Sequence, residues 1–203
     1  MPLNSADGRG SPRGRKSHPR RGGRGGSPSL QGGEHVTVTT SGYTYRRLTC
    51  ADVSLLKELL GVFGEAFGEV DTYQHFMPSD EYLARLMSQQ HFIALVARKG
   101  EEIVGGLAAY ELDKFEQDRR EIYIYDLAVA QSHRRRGVAT GMIGELRRIA
   151  SQRNVYVIFV QADPGDGPAI ALYESLGTKE SAYQFDIDVP LALTQRRATD
   201  RQE

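Results

Sequence analysis

An aspartate at position 126 lies inside an otherwise apolar run, Tyr123-Ile124-Tyr125-Asp126-Leu127-Ala128-Val129. Shortly after it three arginines precede a glycine, Arg134-Arg135-Arg136-Gly137-Val138-Ala139. Each group can do chemistry. A carboxylate among apolar neighbours is desolvated, which raises its proton affinity and suits it to take a proton from an ammonium group. The alternative is a structural aspartate held by a buried partner. The second run fits the pattern Arg/Gln-x-x-Gly-x-Gly/Ala. Placed at the start of a helix, it joins unpaired backbone N–H donors and the positive end of the helix dipole to three cations, which makes an anion site. Gly137 and Ala139 carry little bulk, so a diphosphate can approach the backbone closely. A plainer reading is a strand–helix junction with solvated arginines.

The surrounding pattern supplies the elements that such a site needs. Residues 121–130 read as a central strand. Val138, Met142, Leu146, Ile149 and Ala150 then recur on one face of a helix. Upstream, YTYRRL (43–48) alternates as an edge strand, and Thr49 and Asp52 signal a helix start. Val53, Leu55, Leu56, Leu59, Leu60 and Phe63 form that helix's apolar face, which Gly61, Gly64 and Gly68 weaken towards its end. A turn-rich loop (67–78) leads to Ser79, a cap for a second helix carrying Tyr82, Leu83, Leu86 and Met87. The runs 91–97 and 103–112 flank a polar tip as a hairpin, and the first is apolar throughout, as for a strand buried on both faces. A charged loop (113–120) precedes the central strand. Downstream, VYVIFVQAD (155–163) reads as a buried strand, and residues 164–177 as a loop and helix stopped by Gly177. Tyr183, Phe185, Ile187 and Val189 alternate with Gln184, Asp186 and Asp188, which predicts an antiparallel strand ended by Pro190.

The 203 residues suit one domain with extensions, and the formal net charge of zero conceals an uneven distribution. Residues 1–40 hold seven basic and two acidic side chains, residues 41–189 hold 16 and 22, and residues 190–203 hold three and two. A basic tail therefore precedes an acidic domain. Residues 1–40, rich in Gly, Pro, Ser and Arg, are expected to be disordered, with the folded domain at 41–190 and a second tail at 191–203. The tail resembles an RGG-type RNA-binding segment but lacks base-stacking aromatics, so a solvated extension is the favoured reading and nucleic acid is not an expected partner. No apolar run has the length of a membrane span or a secretory signal. The single cysteine, Cys50, excludes an internal disulfide, fits a reducing cytoplasm, and is assigned to packing rather than catalysis. The five histidines are scattered, and no Cys/His cluster has metal-ligand spacing, so no metal is expected.

The stretches LAAYELDKFEQ, EIYIYDLAV, HRRRGVAT, VQADPGD, ALYESLG and FDID, spanning roughly Tyr43 to Val189, resemble the GNAT N-acetyltransferases. Within that superfamily they are most similar to the type I aminoglycoside (gentamicin) 3-N-acetyltransferases. The resemblance implies an α/β fold with a mixed, mostly antiparallel sheet splayed into a V and flanked by about four helices. It implies acetyl-CoA as co-substrate, with pyrophosphate on Arg134, Arg135, Arg136, Gly137, Val138, Ala139 and Thr140. Backbone contacts from Leu127, Ala128 and Val129 would hold the pantetheine arm.

By the same resemblance Asp126 is the general base. Asp166-x-x-Ala169-x-x-Leu172-Tyr173 matches the second family motif, with Asp166 where asparagine is usual, and Tyr173 is placed to protonate the leaving thiolate. The two early helices and their loop would wall the acceptor site. There Glu69 and Asp71, with Asp163 and Asp186 from later segments, would bind the ammonium groups of a polycationic aminoglycoside. Without a cysteine placed to form an acetyl-enzyme, direct transfer through a ternary complex is expected. A polyamine or other small amine is the alternative acceptor, a CoA-binding module without turnover is a third reading, and the family implies a homodimer.

Overall fold

In a computed structural model, residues 38–40 and 42–189 are described. Six strands form one sheet in chain order: β1 (Val38–Thr40), β2 (Tyr43–Arg47), β3 (Phe92–Lys99), β4 (Glu102–Asp113), β5 (Arg120–Val129) and β6 (Val155–Val160). Neighbours run antiparallel except β5 and β6, which are parallel and connected by a helix. The helices are α1 (Val53–Phe67), α2 (Asp80–Ser88), α3 (Val138–Ser151) and α4 (Gly167–Glu174). This is the mixed, mostly antiparallel α/β architecture expected from the sequence.

Both sheet faces are covered, and β3 shows why its sequence is apolar throughout. Ile93, Leu95 and Ala97 join the cluster beneath α3, where Met142, Leu146 and Val138 are buried. Phe92, Ala94 and Val96 join the opposite cluster with Leu56, Leu59 and Phe63 of α1 and Leu83 and Met87 of α2. The helices approach closely where the strands or helices lack side chains. A Cβ at Gly106 of β4 would collide with Leu59, and one at Gly141 of α3 with the Tyr45 hydroxyl. At the far end of the sheet, buried Glu111 lies between two cations, in ion pairs with Arg120 Nη1 at 3.0 Å and Arg153 Nε at 2.8 Å. That shared carboxylate ties β4 and β5 to the turn that follows α3.

Four expectations need correction, the first that 155–163 is a buried strand: β6 ends at Val160 and lies at the sheet edge, with Tyr156, Val157 and Phe159 exposed. Residues 183–189 form no strand: Tyr183 is 92% exposed, and Phe185, Ile187 and Val189 are likewise exposed. Alternation records a two-faced preference, but a strand also needs a neighbour, and this segment has no ladder. Ordered structure begins before residue 41, because β-branched Val38, Thr39 and Thr40 pair with β2. Cys50 is exposed in the turn before α1 and takes no part in the core. The remainder of the 1–40 segment and the whole of 191–203 lie outside the described residues.

Candidate active site

The site is built on a defect in β5. Ala108 of β4 pairs with Asp126, but Ala109 pairs with Ile124, so Tyr125 is an extra residue on the β5 side. Such a bulge breaks the alternation of faces. Ile122 and Ile124 face the α3 cluster, as do Leu127 and Val129, whereas Ala128 packs into the α1 cluster. Asp126 is thereby turned towards the α1 side with Tyr125 beside it.

The pairing of β5 with β6 ends at Ile124 and Val160. Among the described residues, the β5 edge from Tyr125 to Val129 that would face β6 has no strand partner, so the pairing of the two parallel strands stops just before Asp126. Leu127, Ala128 and Val129, expected to hold a cofactor arm, all lie on this free edge. The Val129 carbonyl accepts from Arg134 Nε at 3.0 Å, which ties the end of the strand to the loop after it.

That loop leads into α3. Arg134, Arg135, Arg136 and Gly137 are exposed, while Val138 anchors the first turn in the core. Arg135 and Gly137 both have positive φ, 60° and 79°. Gly137 is the N-cap of α3, without a side-chain cap, so the N–H groups of the first turn, Val138 to Thr140 included, have no capping side chain, and three exposed arginines precede them. Behind the loop, His133 is buried in a short 3₁₀ turn, where its Nδ1 shares a 3.0 Å hydrogen bond with the Tyr43 hydroxyl. This contact fixes the loop to β2. A shallow pocket beside it is lined by Val62, Glu65, Ala66, Ala130, Gln131 and Arg134.

Asp126 is half-buried, and its Oδ1 accepts from the Tyr73 hydroxyl at 3.3 Å. Tyr73 lies on a π-helical turn, Asp71–His75, where sequence indicated only a loop. Phe63 and Phe67 of α1 hold its ring, with centroids at 6.0 and 5.7 Å. Burial lifts the Asp126 carboxyl above its ordinary value, and the Tyr73 bond partly offsets this. The Tyr73 hydroxyl is pushed up to about 12, by burial first and then by the Asp126 charge. Tyr73 therefore keeps its proton at neutral pH and steadies the ionised carboxylate. Asp126 thus has a higher proton affinity than a solvated aspartate, the property a proton acceptor needs.

Loss of the Tyr73 hydroxyl then has a definite sign. Tyr73→Phe removes the interaction that favours ionised Asp126, so the acidic limb of kcat/KM moves to higher pH. Above that limb the rate falls by roughly ten-fold, the low end of what one hydrogen bond to a charged group contributes. A pH–rate profile of the variant checks this, and an unmoved limb removes Tyr73 from the site.

The other anticipated residues are placed unevenly. Glu69 lies close enough to Tyr73 for its charge to raise that hydroxyl, so it borders the Asp126 group. Asp71 is exposed, 3.8 Å from His75. Asp163 is exposed in the turn after β6, and Asp186 is exposed on the strandless segment. Among the described residues, no hydrogen bond or ion pair joins Asp71, Asp163 or Asp186 to Asp126. The Asp166 carboxylate caps α4 by accepting from Ala169 N–H at 3.0 Å, so both residues serve the helix end. Tyr173 packs against the α3-side cluster, and burial, then Asp166, raises its hydroxyl. It holds its proton at neutral pH.

Three residues gathered around Asp126 escaped the sequence reading: Tyr73, Tyr110 and Tyr125. The Tyr110 ring packs on Phe92 and meets Tyr125 edge-on at 5.9 Å. The concentration of tyrosines in 73–125 was the available signal, but only the bulge gathers them.

The fold combines a bulged central strand, a free edge beyond its pairing with β6, and a helix whose uncapped N-terminus follows three exposed arginines. Residues 56–178, more than half of the chain, match the acetyltransferase (GNAT) family, and the protein belongs to that family. GNAT acetyltransferases in general use acetyl-CoA.

Among curated relatives, human N-acetyltransferase 8 is 26% identical over 90 residues, and N-acetyltransferase 8B of Rattus norvegicus 23% over 90. Each match covers 44% of this chain and only 40% of the relative's length. Solved structures extend further. An aminoglycoside acetyltransferase from an uncultured soil metagenomic sample is 52% identical with a TM-score of 0.72, covering 73% of this chain and 99% of that one. Another from such a sample, solved in complex with sisomicin, is 28% identical with a TM-score of 0.68, covering 73% and 97%.

Proposed function

We propose that the protein transfers acetyl from acetyl-CoA to the 3-amino group of gentamicin-class aminoglycosides, directly within a ternary complex, and so confers resistance in the cytoplasm. The observation that carries this reading is Asp126: a half-buried carboxylate of raised proton affinity, turned by a bulge towards the α1 side of the sheet, on the stretch of β5 beyond its pairing with β6. The residues present fit the donor. The free β5 edge at Tyr125–Val129 offers backbone donors and acceptors to an extended arm, and the α3 N-terminus with Arg134–Arg136 offers charge and N–H groups to a diphosphate.

Acetyl-CoA supplies the acetyl group as a thioester, ready for attack by a neutral amine. Asp126 takes the proton from the acceptor ammonium, because only the neutral amine has a lone pair. Tyr173, its proton held by burial, gives one to the departing sulfur. Cys50 lies before the first turn of α1. That end of the 15-residue helix is about 22 Å from the end near Tyr73, which leaves no thiol for an acetyl-enzyme. The acidic balance of residues 41–189 favours a polycationic acceptor, and 52% identity to an aminoglycoside acetyltransferase supports the drug class. The same charge would attract a polyamine.

The test is release of CoA thiol with gentamicin, sisomicin, kanamycin and spermidine side by side, followed by mapping of the acetylated amine. Turnover of gentamicin and sisomicin far above spermidine, with the label on the 3-amine, is the expected result. Preferential turnover of spermidine would replace the aminoglycoside with a linear polyamine.

A further inference from the structure

Tyr125, the extra residue of the bulge, is 64% exposed in the middle of a sheet strand. Its neighbours are not. Tyr123 stacks on Phe159 of β6 at 5.0 Å, and its hydroxyl donates to Gln161 Oε1 at 2.9 Å. Tyr110 is held against Phe92 at 5.3 Å. Both meet Tyr125 edge-on, with centroids 5.9 Å away and interplanar angles of 81° and 79°. Two fixed rings thus brace a third that faces outward, directly before Asp126 in sequence and on the same side of the sheet.

We propose that Tyr125, braced by Tyr110 and Tyr123, is the acceptor-ring subsite: a cyclic, polar, ammonium-bearing ring packs on its face while a neighbouring ammonium reaches Asp126. This rests on the proposed function and names how the acceptor is chosen. An electron-rich ring beside a carboxylate attracts cations twice over, through the ring's quadrupole and through the charge. An anionic acceptor is repelled by the same pair, and an apolar one would leave Asp126 desolvated without a partner. A linear polyamine satisfies the carboxylate but has no ring face to lay on Tyr125. The subsite therefore separates aminosugar and aminocyclitol rings from flexible polyamines that carry the same charge. The bulge couples recognition to chemistry, because one backbone irregularity sets both side chains on one side.

The experiment compares wild type, Tyr125→Ala, Tyr125→Leu and Tyr125→Phe, with sisomicin and spermidine as acceptors and calorimetric titration of sisomicin alongside kinetics. Tyr125→Ala is expected to raise KM and the dissociation constant for sisomicin roughly ten-fold, within the range of one cation–ring contact. The effect on spermidine should be several-fold smaller. Phe is expected to recover most of the loss, and Leu little of it. KM for acetyl-CoA on each variant reports that the fold is intact.

Sisomicin affinity indifferent to Tyr125→Ala overturns the subsite, as does recovery by Leu equal to that by Phe, which would mean apolar area alone matters. The outcomes also separate the two proposals. Tyr125-dependent binding of sisomicin without its acetylation sinks the proposed reaction and keeps the subsite. Acetylation that ignores Tyr125 does the reverse, and an absence of both binding and turnover removes both.

Discussion

Asp126→Asn is expected to lower kcat with an aminoglycoside by roughly 10²- to 10⁴-fold, the usual contribution of a positioned general base, while the dissociation constant for acetyl-CoA is little changed. The substitution is nearly isosteric, and the amide oxygen can still accept from Tyr73, so the local packing of the π turn survives. What disappears is the proton acceptor. In the wild type, kcat/KM should fall as pH drops through the Asp126 value, which burial has raised, so the acidic limb lies higher than a solvated aspartate would put it. The variant should lack that limb.

Stability moves the opposite way. A carboxyl whose folded value exceeds its unfolded one binds more protons when folded, so its ionisation weakens the fold as pH rises from the unfolded value through the folded one. At neutral pH this cost is fully present, and Asn removes it. Asp126→Asn is therefore expected to be inactive yet to melt about 2 °C higher at pH 7, a shift of the size a fraction of a kcal/mol produces in a chain of this length. The gain should shrink towards pH 4. Calorimetric melting across pH, set beside single-turnover kinetics, checks both halves. An active variant, or one that melts lower at neutral pH, would return Asp126 to a structural role.

What could be read from sequence was whatever depends on neighbours along the chain. The strand–loop–helix from Glu121 to Ala150 was legible because three local signals agree in it: an apolar run, a glycine at the junction and a helical period. Ser79 was legible as a cap, and its hydroxyl does accept from Tyr82 N–H at 3.2 Å. Asp126 stood out because a carboxylate is costly in an apolar strand. Its partner did not, because Tyr73 is 53 positions away and meets it only through a π turn and a bulge. The bulge itself depends on register between β4 and β5, which no single strand encodes. Residues 183–189 failed for the same reason in reverse: their alternation is local and clear, but pairing is a property of two segments. Asp166 keeps its motif position and caps α4, as a carboxylate at a helix start finds the nearest free N–H groups first.

The second large effect should come from Gly137. Its φ of 79° lies where β-branched residues are strained, at a cost of roughly 1–3 kcal/mol. A Cβ built there meets no protein atom within 4 Å. The contrast with Gly106 and Gly141 is instructive, because there an added carbon strikes Leu59 or Tyr45 and the injury falls on core packing. At Gly137 the space is open, so under the proposed donor site, with the diphosphate at the α3 N-terminus, an added side chain would stand in its approach. Gly137→Val is therefore expected to raise KM for acetyl-CoA by about 30-fold or more. That combines backbone strain, relieved by shifting the α3 N-cap, with lost hydrogen bonds to the anion, each of which contributes about 1.5–3 kcal/mol. KM for the acceptor should change little, because Asp126 and Tyr125 stand on β5 rather than on the loop. Gly137→Ala should fall between wild type and valine, since it adds the Cβ without the branch. The measurement is a two-substrate kinetic matrix for the three proteins, with desulfo-CoA as a binding probe independent of turnover. Equal increases in both KM values would point to a general loosening of the fold. A wild-type KM for acetyl-CoA in the valine variant would take the anion site away from the α3 N-terminus and leave the arginines as a merely solvated cluster.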